Sequence, residues 1–276
     1  MIDRPALGRD AYADRVSSES YREERAAKAD VVWRLCGEEL RRAARIADLG
    51  SGTGLLKRAL EKRLGREIYG FELDPSFVHW RGMTVMADVR RLPAPDDAFD
   101  FLLLNHLYEH VADQPALFRE AYRVLAPGGR AYLSAGNVLA VLEPHYRLPF
   151  LSWLPRPLAS AYLRATGRGR AYRGIRFRTH GALVRMVTTA GFRHREITEE
   201  ALERLLAGPT DRGWQGTWRV LRRLPGRFRG ALLRSLSPQW FFLLEKPPVG
   251  GDPVLPANAA RGSRRAPPHE VGGEQG

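Results

Sequence analysis

The segment Asp48-Leu49-Gly50-Ser51-Gly52-Thr53-Gly54 has the composition of a turn that brings the backbone close to a ligand. Glycine adopts the backbone angles of tight turns, and it places no side chain between the backbone and a bound molecule. The spacing is G-x-G-x-G, because Leu55 stands where a dinucleotide-binding loop has its third glycine. Leu55 also excludes the Gly-Lys-Ser/Thr sequence of a phosphate-binding P-loop.

Three further polar residues, Glu72, Asp88 and Asn105, follow short apolar runs that are typical of buried strands. The carboxyl ends of parallel strands meet at one edge of a sheet, so these residues and Asp48 are predicted to share one crevice. A carboxylate at Glu72 can accept hydrogen bonds from both hydroxyls of a ribose, and one at Asp88 can accept from an adenine amino group. The set predicts a site for an adenine nucleoside.

The elements that must position these residues alternate between strands and helices. Strands are predicted over residues 45–49, 67–72, 83–87, 99–104 and 130–135. Helices are predicted over residues 17–45, 54–65, 75–81 and 113–126. This alternation indicates an α/β fold with a Rossmann-like, doubly wound, mostly parallel sheet.

The alternation stops after residue 137. Residues 138–178 contain four prolines, many aromatic residues and a single acidic residue, Glu143, and they are interpreted as an inserted helical cap. A helix over 179–191 and a strand over 192–197 follow, then basic amphipathic helices over 199–236 and a final strand over 239–245. We predict three parts: an N-terminal helical segment (1–45), one domain with its cap (46–246) and a disordered tail (247–276).

Composition limits the remaining choices. The 44 Lys and Arg residues exceed the 31 Asp and Glu residues, and the resulting net charge of +13 favours anionic partners. The single cysteine, Cys36, excludes an internal disulfide and a cysteine-rich zinc cluster, and no metal site is predicted. The first 15 residues hold no apolar stretch typical of a signal peptide, and no apolar run is long enough to span a membrane. We expect a cytoplasmic protein, with the inner face of the membrane as an alternative location.

The chain resembles the class I methyltransferases that use S-adenosylmethionine (SAM). It is especially similar to the small-molecule branch that includes the ubiquinone and menaquinone biosynthesis methyltransferases. The resemblance covers about 46–135 and 179–192. It is carried by the segments IADLGSGTGLL, GFELDPSFV, ADVRRLPAPDDAFDFLLLNHLYEHV, LFREAYRVLAPGGRAYLS and THGALVRMVTTAGF.

This resemblance implies a role for each residue of the predicted site. The methionine half of SAM would be surrounded by Asp48, Gly50, Ser51, Gly52 and Gly54, with Asn105 beside it. Glu72 would hold the ribose, Leu73 would flank the adenine, and Asp88 with Val89 would meet the adenine edge. Either Tyr12 or Tyr21 in the N-terminal helix would cover the cofactor.

The resemblance predicts an enzyme that moves a methyl group to a small-molecule or lipid-linked acceptor, by O- or C-methylation. Methyl transfer from a sulfonium needs alignment of the acceptor and exclusion of water. A hydroxyl acceptor also needs a base, for which His106 and His145 are the candidates. The cap and the helices over 199–236 carry arginines and aromatic residues that suit an anionic or prenylated acceptor, or a membrane surface.

Two other functions stay open. An RNA methyltransferase would explain the positive charge. However, Asn105-His106-Leu107-Tyr108 differs from the Asn-Pro-Pro-Tyr type of loop that grips a flipped base, and no separate RNA-binding module is evident, so nucleic acid is the less favoured partner. A non-catalytic, SAM-binding regulatory protein, whose cap serves a partner, is the third interpretation.

Overall fold

The computed structural model describes residues 19–206 and 218–248. Its centre is a seven-stranded sheet in the order β3-β2-β1-β4-β5-β9-β8. Its strands are β1 (Ile46–Leu49), β2 (Tyr69–Glu72), β3 (Thr84–Met86), β4 (Phe99–Asn105), β5 (Leu125–Gly136), β8 (Arg193–Glu196) and β9 (Gln239–Glu245). Strands β1 to β5 run parallel, whereas β9 is antiparallel to both β5 and β8. The predicted α/β fold with a mostly parallel sheet is confirmed.

Helices flank this sheet. They are α1 (Glu19–Arg42), α2 (Leu55–Leu64), α3 (Gln114–Val124), α4 (Arg156–Ala165), α5 (His180–Thr189), α6 (Thr198–Leu206) and α7 (Gly226–Leu236). Local signals set their ends. The Asp113 carboxylate accepts from the Ala116 N–H at the start of α3, and Gly65 ends α2 in a left-handed conformation.

The two faces of the sheet bury separate apolar layers. Along β4, Leu102 and Leu104 pack in one layer, and Phe101 and Leu103 pack in the other. Alternate side chains of a strand point to opposite faces, so a strand buried on both sides must be apolar throughout. This explains why the run from 99 to 104 contains only one charged residue, Asp100. The loops at the carboxyl edge of the sheet therefore rest on a rigid base.

Residues 138–178 contain less helix than predicted. They form a two-stranded hairpin of β6 (Leu142–Glu143) and β7 (Leu148–Pro149), a 3-10 turn over Leu151–Trp153, the helix α4 and irregular chain. This cap has a small apolar core of its own, which includes Leu151, Leu163 and Phe177. The Arg176 N–H donates to the Glu109 carbonyl oxygen (2.8 Å) and so fastens the cap to the loop after β4.

Other elements also differ from the sequence prediction. The helix predicted over 75–81 was wrong, because only Pro75–Phe77 form a 3-10 turn. The N–H groups of His79 and Trp80 donate to the Thr53 carbonyl oxygen and not to the preceding turn of a helix. The helices predicted over 199–236 correspond to α6, a short helical segment over residues 218–221 and α7, whereas residues 207–217 lie outside the described part. So do Trp214 and residues 249–276 of the predicted tail.

Among residues 19–206 and 218–248, no helix combines the length and the apolar character that crossing a membrane requires.

Candidate active site

A cavity of about 380 Å³ opens at the carboxyl ends of β1, β2 and β4. This volume lies in the range of small-molecule sites. Nine of the ten predicted cofactor residues line it: Asp48, Gly50, Ser51, Gly52, Glu72, Leu73, Asp88, Val89 and Asn105. Both predicted catalytic residues, His106 and His145, line the same cavity. The structure therefore brings together residues from the four segments that follow β1, β2, β3 and β4, and His145 from the cap.

The glycine turn forms one wall of the cavity. Gly50 and Gly52 have positive φ angles of 67° and 55°, a conformation that favours glycine. A Cβ atom on Gly50 would lie 2.5 Å from Cδ1 of Leu107, so Gly50 allows the turn to pack on the loop after β4. A Cβ atom on Gly52 would meet no atom within 4 Å. Since Gly52 lines the cavity, its missing side chain leaves that space open.

Glu72 joins the glycine turn to β2. Its Oε2 accepts from the Gly52 N–H (2.8 Å), and its Oε1 accepts from the N–H groups of Leu73 (2.9 Å) and Asp74 (3.1 Å). A carboxylate has about four acceptor positions, so these bonds fix its orientation and leave limited capacity for a ligand. Glu72 is only 5% exposed. The sequence interpretation assigned Glu72 only to ribose binding. The structure shows that Glu72 also holds the glycine turn in place.

Asp48 is a buried carboxyl group beneath the turn. Burial raises the pKa of Asp48 to about 7, and the positive charge of Lys57 offsets part of that rise. The Lys57 side chain is itself fully buried, and it donates to Glu61 Oε1 (2.9 Å) and to the Ile68 carbonyl oxygen (3.2 Å). A cationic ligand in the cavity would favour the ionised form of Asp48.

Asp88 already has a partner in the structure. Its carboxylate accepts from Nε (3.0 Å) and Nη2 (2.6 Å) of Arg90, in the paired geometry that guanidinium groups favour. The Arg90 guanidinium holds the pKa of Asp88 below its ordinary value. Arg90 also lines the cavity, and the sequence interpretation did not include it. A ligand at this position would therefore meet an arginine–carboxylate pair.

Gly54 is not among the residues that line the cavity. It has a φ of 72°, and a Cβ atom there would lie 2.3 Å from the carbonyl oxygen of Trp80. The loop over His79 and Trp80 crosses the end of the turn at this point. The third glycine of the G-x-G-x-G spacing thus permits a close approach of two backbone segments.

Histidines form the opposite wall, beside the cap. The Nε2 atom of His106 lies 3.3 Å from Ser134 Oγ, and burial lowers the pKa of His106 and of His110. His145, from the cap, hydrogen-bonds through Nδ1 with Glu143 Oε1 (2.9 Å). Glu109 lies beneath this wall and is fully buried. The sequence interpretation did not include Glu109, because its spacing from the other residues matches no familiar pattern.

Helix α1 closes a third side with Tyr21, Glu24, Arg25 and Lys28. Tyr21 is one of the two tyrosines predicted to cover the cofactor, and the other, Tyr12, lies outside the described residues. The guanidinium of Arg25 stacks over the Tyr21 ring at 4.6 Å. The cavity is therefore bounded by the glycine turn, the cap and the N-terminal helix.

Part of the chain that contains this site is similar to a known protein family. Residues 47–133, which include β2 to β4 and most of β1 and β5, match the family model of the methyltransferase domain. This segment is therefore similar to methyltransferase domains. Eleven predicted cofactor and catalytic residues line the cavity, and ten of them lie within residues 47–133. The exception is His145, which belongs to the cap.

Curated relatives match part of the chain. A demethylmenaquinone methyltransferase of Thermus thermophilus is 37% identical over 116 residues, which cover 37% of this chain and 53% of that protein. A malonyl-[acyl-carrier protein] O-methyltransferase of Halorhodospira halophila is 34% identical, with 46% of this chain and 47% of that protein covered. The chain thus spans about half the length of these relatives.

A solved structure extends the likeness of fold beyond residues 47–133. A SAM-dependent methyltransferase from Archaeoglobus fulgidus superposes with a TM-score of 0.50 at 15% identity. The match covers 84% of this chain and 97% of that one. The fold is therefore that of SAM-dependent methyltransferases, including elements beyond residue 133.

Proposed function

We propose that this protein transfers a methyl group from SAM to a small-molecule or lipid-linked acceptor, by O- or C-methylation. The observation that carries the proposal is the shared cavity of the glycine turn, Asp48 and Glu72 in a segment similar to methyltransferase domains. The relatives named after quinone biosynthesis and after malonyl-[acyl-carrier protein] support an acceptor of modest size.

Features of the cavity fit an adenosyl sulfonium. The open space at Gly52 would admit a ligand against the backbone, and among the described residues the buried Ser51 Oγ has no hydrogen-bond partner. Asp48 and Glu72 supply carboxylates for a cation and for ribose hydroxyls. When bound, SAM supplies a methyl group that its sulfonium makes electrophilic. The chain orients that group and excludes water around it.

The acceptor is proposed to enter between the glycine turn and the histidine wall. His106 follows Asn105 directly and faces the cavity, and His145 reaches the same cavity from the cap. Their roles as bases remain predictions. The Arg90–Asp88 pair, which also lines the cavity, is assigned to the cofactor.

Methyl transfer from SAM with a labelled methyl group tests this function. We expect label to enter a hydroxylated quinol, an acyl-thioester acid or a glycolipid when each pool is incubated with the full chain. Label that enters RNA alone would contradict the proposed acceptor class and would favour the RNA methyltransferase. SAM binding without transfer to any pool would favour the regulatory protein.

We further propose that α7 rests on an anionic membrane surface, where a lipid-linked acceptor would lie. Phe228 and Leu236 are 56% and 46% exposed on this helix, and Arg227 and Arg234 are also exposed. Apolar side chains flanked by arginines are typical of helices that lie in a membrane interface.

Sedimentation with lipid vesicles tests this membrane contact. The chain should sediment with phosphatidylglycerol vesicles and much less with phosphatidylcholine vesicles. The double variant Phe228→Ser, Leu236→Ser should lose most of this binding. A matched control is Val85→Ser, because Val85 is 41% exposed on β3, at the opposite edge of the sheet. Equal binding by all three proteins would contradict the proposal.

A further inference from the structure

We propose that Glu109, His110 and His145 form a binding site for a divalent transition-metal ion at the cap side of the cavity. One ligand atom from each residue lies within 4.8 Å of the other two. The closest pair is Nε2 of His110 and Nε2 of His145, at 3.3 Å. Two imidazoles and one carboxylate are ligands that Zn²⁺ and Fe²⁺ accept, commonly with further positions open to water or substrate.

Glu109 is the residue that most requires a cation. Its side chain is fully buried, and neither carboxylate oxygen has a hydrogen-bond partner among the described residues. The nearest polar neighbour is His106, whose Nδ1 lies 3.4 Å from Oε1, a long contact at ion-pair distance. Such a buried carboxylate is costly, because it has lost its water and the long contact with His106 replaces only part of it. A metal ion bound to Glu109 would supply the missing partner.

The histidine pair supplies the second observation. Two imidazole nitrogens that face each other at 3.3 Å cannot both carry a proton along the line between them. An ion that both nitrogens contact from one side would satisfy both lone pairs. The rings are almost perpendicular, with an interplanar angle of 84°, so their lone pairs can converge on a point beside the line that joins them.

Glu143 supports His145 in the way that metal-binding histidines are usually supported. The carboxylate is fully buried, with Oε1 2.9 Å from His145 Nδ1, while Oε2 accepts from the Tyr146 N–H (2.6 Å). A proton on Nδ1 donated to Glu143 leaves the lone pair of His145 on Nε2, toward His110, where it would bind the ion. With an ion bound, His106 is then the remaining candidate base. Carboxylate partners of this kind fix the tautomer and orientation of metal-ligating histidines. Glu143 is also the sole acidic residue of 138–178.

The location suggests what the ion does. His110 and His145 line the same cavity as Asp48 and Glu72, whereas Glu109 lies beneath them. The open positions of the ion would therefore face the space assigned to the acceptor, and would take an oxygen or nitrogen of that molecule or water. Metal binding itself goes beyond the proposed methyl transfer, and it can be measured without SAM.

Calorimetric titration of the metal-free full chain with Zn²⁺ tests the site. We expect about one ion per chain, with Co²⁺ giving visible absorption bands of a site with nitrogen and oxygen ligands. His145→Ala and Glu109→Gln should each weaken Zn²⁺ binding by roughly 30-fold or more. Glu143→Gln should weaken it by about tenfold, because it alters only the support of His145.

His180→Ala is the matched control. His180 also hydrogen-bonds a carboxylate, Glu196 (3.1 Å), but it lies outside the cavity lining. This variant should bind Zn²⁺ like the wild type, and circular dichroism should show that each variant is folded. The proposal is overturned by a wild-type chain that binds no ion. It is also overturned by binding that His145→Ala and Glu109→Gln leave unchanged, or that His180→Ala alone removes.

Discussion

Gly52→Ala should weaken SAM binding by about 100-fold or more, while the protein remains folded. Gly52 lines the cavity, and a Cβ atom there would meet no protein atom within 4 Å. The added methyl group would therefore enter space that the proposed cofactor needs. Its cost to folding should be limited to the strain of an alanine at a φ of 55°, about 1 kcal/mol. Calorimetry with SAM and thermal unfolding measure the two effects.

Gly65→Ala provides the matched control. Gly65 also has a positive φ, 67°, and open space where its Cβ atom would lie. Gly65 ends α2 and is not among the residues that line the cavity. This variant should lose about the same stability as Gly52→Ala and retain wild-type affinity for SAM. Equal affinities of Gly52→Ala and Gly65→Ala would contradict the placement of the cofactor against the turn.

Asp48→Asn should weaken SAM binding by about 100-fold at pH 8 and yet stabilise the protein without ligand. The folded-state pKa of Asp48 is raised to about 7 from an ordinary value of 3.8. Relative to the unfolded chain, its contribution to stability is present below pH 3.8 and is lost as the pH rises through 7. Asparagine carries no charge, so the variant should gain on the order of 3 kcal/mol in the free energy of unfolding at pH 8.

Measurements at several pH values separate the effect of Asp48 on SAM affinity from its effect on the free energy of unfolding. Wild-type affinity for SAM should fall by about tenfold per pH unit below pH 7, as Asp48 takes up a proton. The affinity of Asp48→Asn should change much less over the same range, so that the two proteins converge near pH 5. Denaturant unfolding and calorimetry at several pH values measure both quantities. A variant that is less stable at pH 8, or that binds SAM like the wild type, would contradict this role of Asp48.

Periodicity and loop spacing were sufficient to predict the parallel sheet and most of the cavity. Each of Asp48, Glu72 and Asn105 follows an apolar run long enough to be a buried strand, and parallel strands present their carboxyl ends together. The register of β1 with β2 and β4 then brings the turn and Glu72 within hydrogen-bond distance. These features depend on local apolar runs and on the general rule that parallel strands bring their carboxyl ends to one edge of a sheet.

Features that depend on contacts between distant segments were not predicted. Gly54 is needed because the loop at Trp80 packs against it, and nothing in the glycine spacing identifies that neighbour. The Arg90–Asp88 pair is a local exception: the two residues are only two positions apart, but residue types alone did not indicate that Arg90 folds back onto Asp88. His110 and His145 meet although 35 residues separate them, because the cap folds back over the loop after β4. For this reason the metal site that we propose was not predicted from the sequence.

The central claim is that the glycine turn, Asp48 and Glu72 bind SAM in one cavity. Calorimetric titration of the full chain with SAM, for the wild type and for Glu72→Ala, tests it most directly. We expect one SAM per wild-type chain, and an affinity lowered by about 100-fold in the folded variant, because Glu72 is proposed to bind the ribose and also holds the Gly52 N–H. No heat of binding with the wild type, or equal affinity of the two proteins, would contradict the claim.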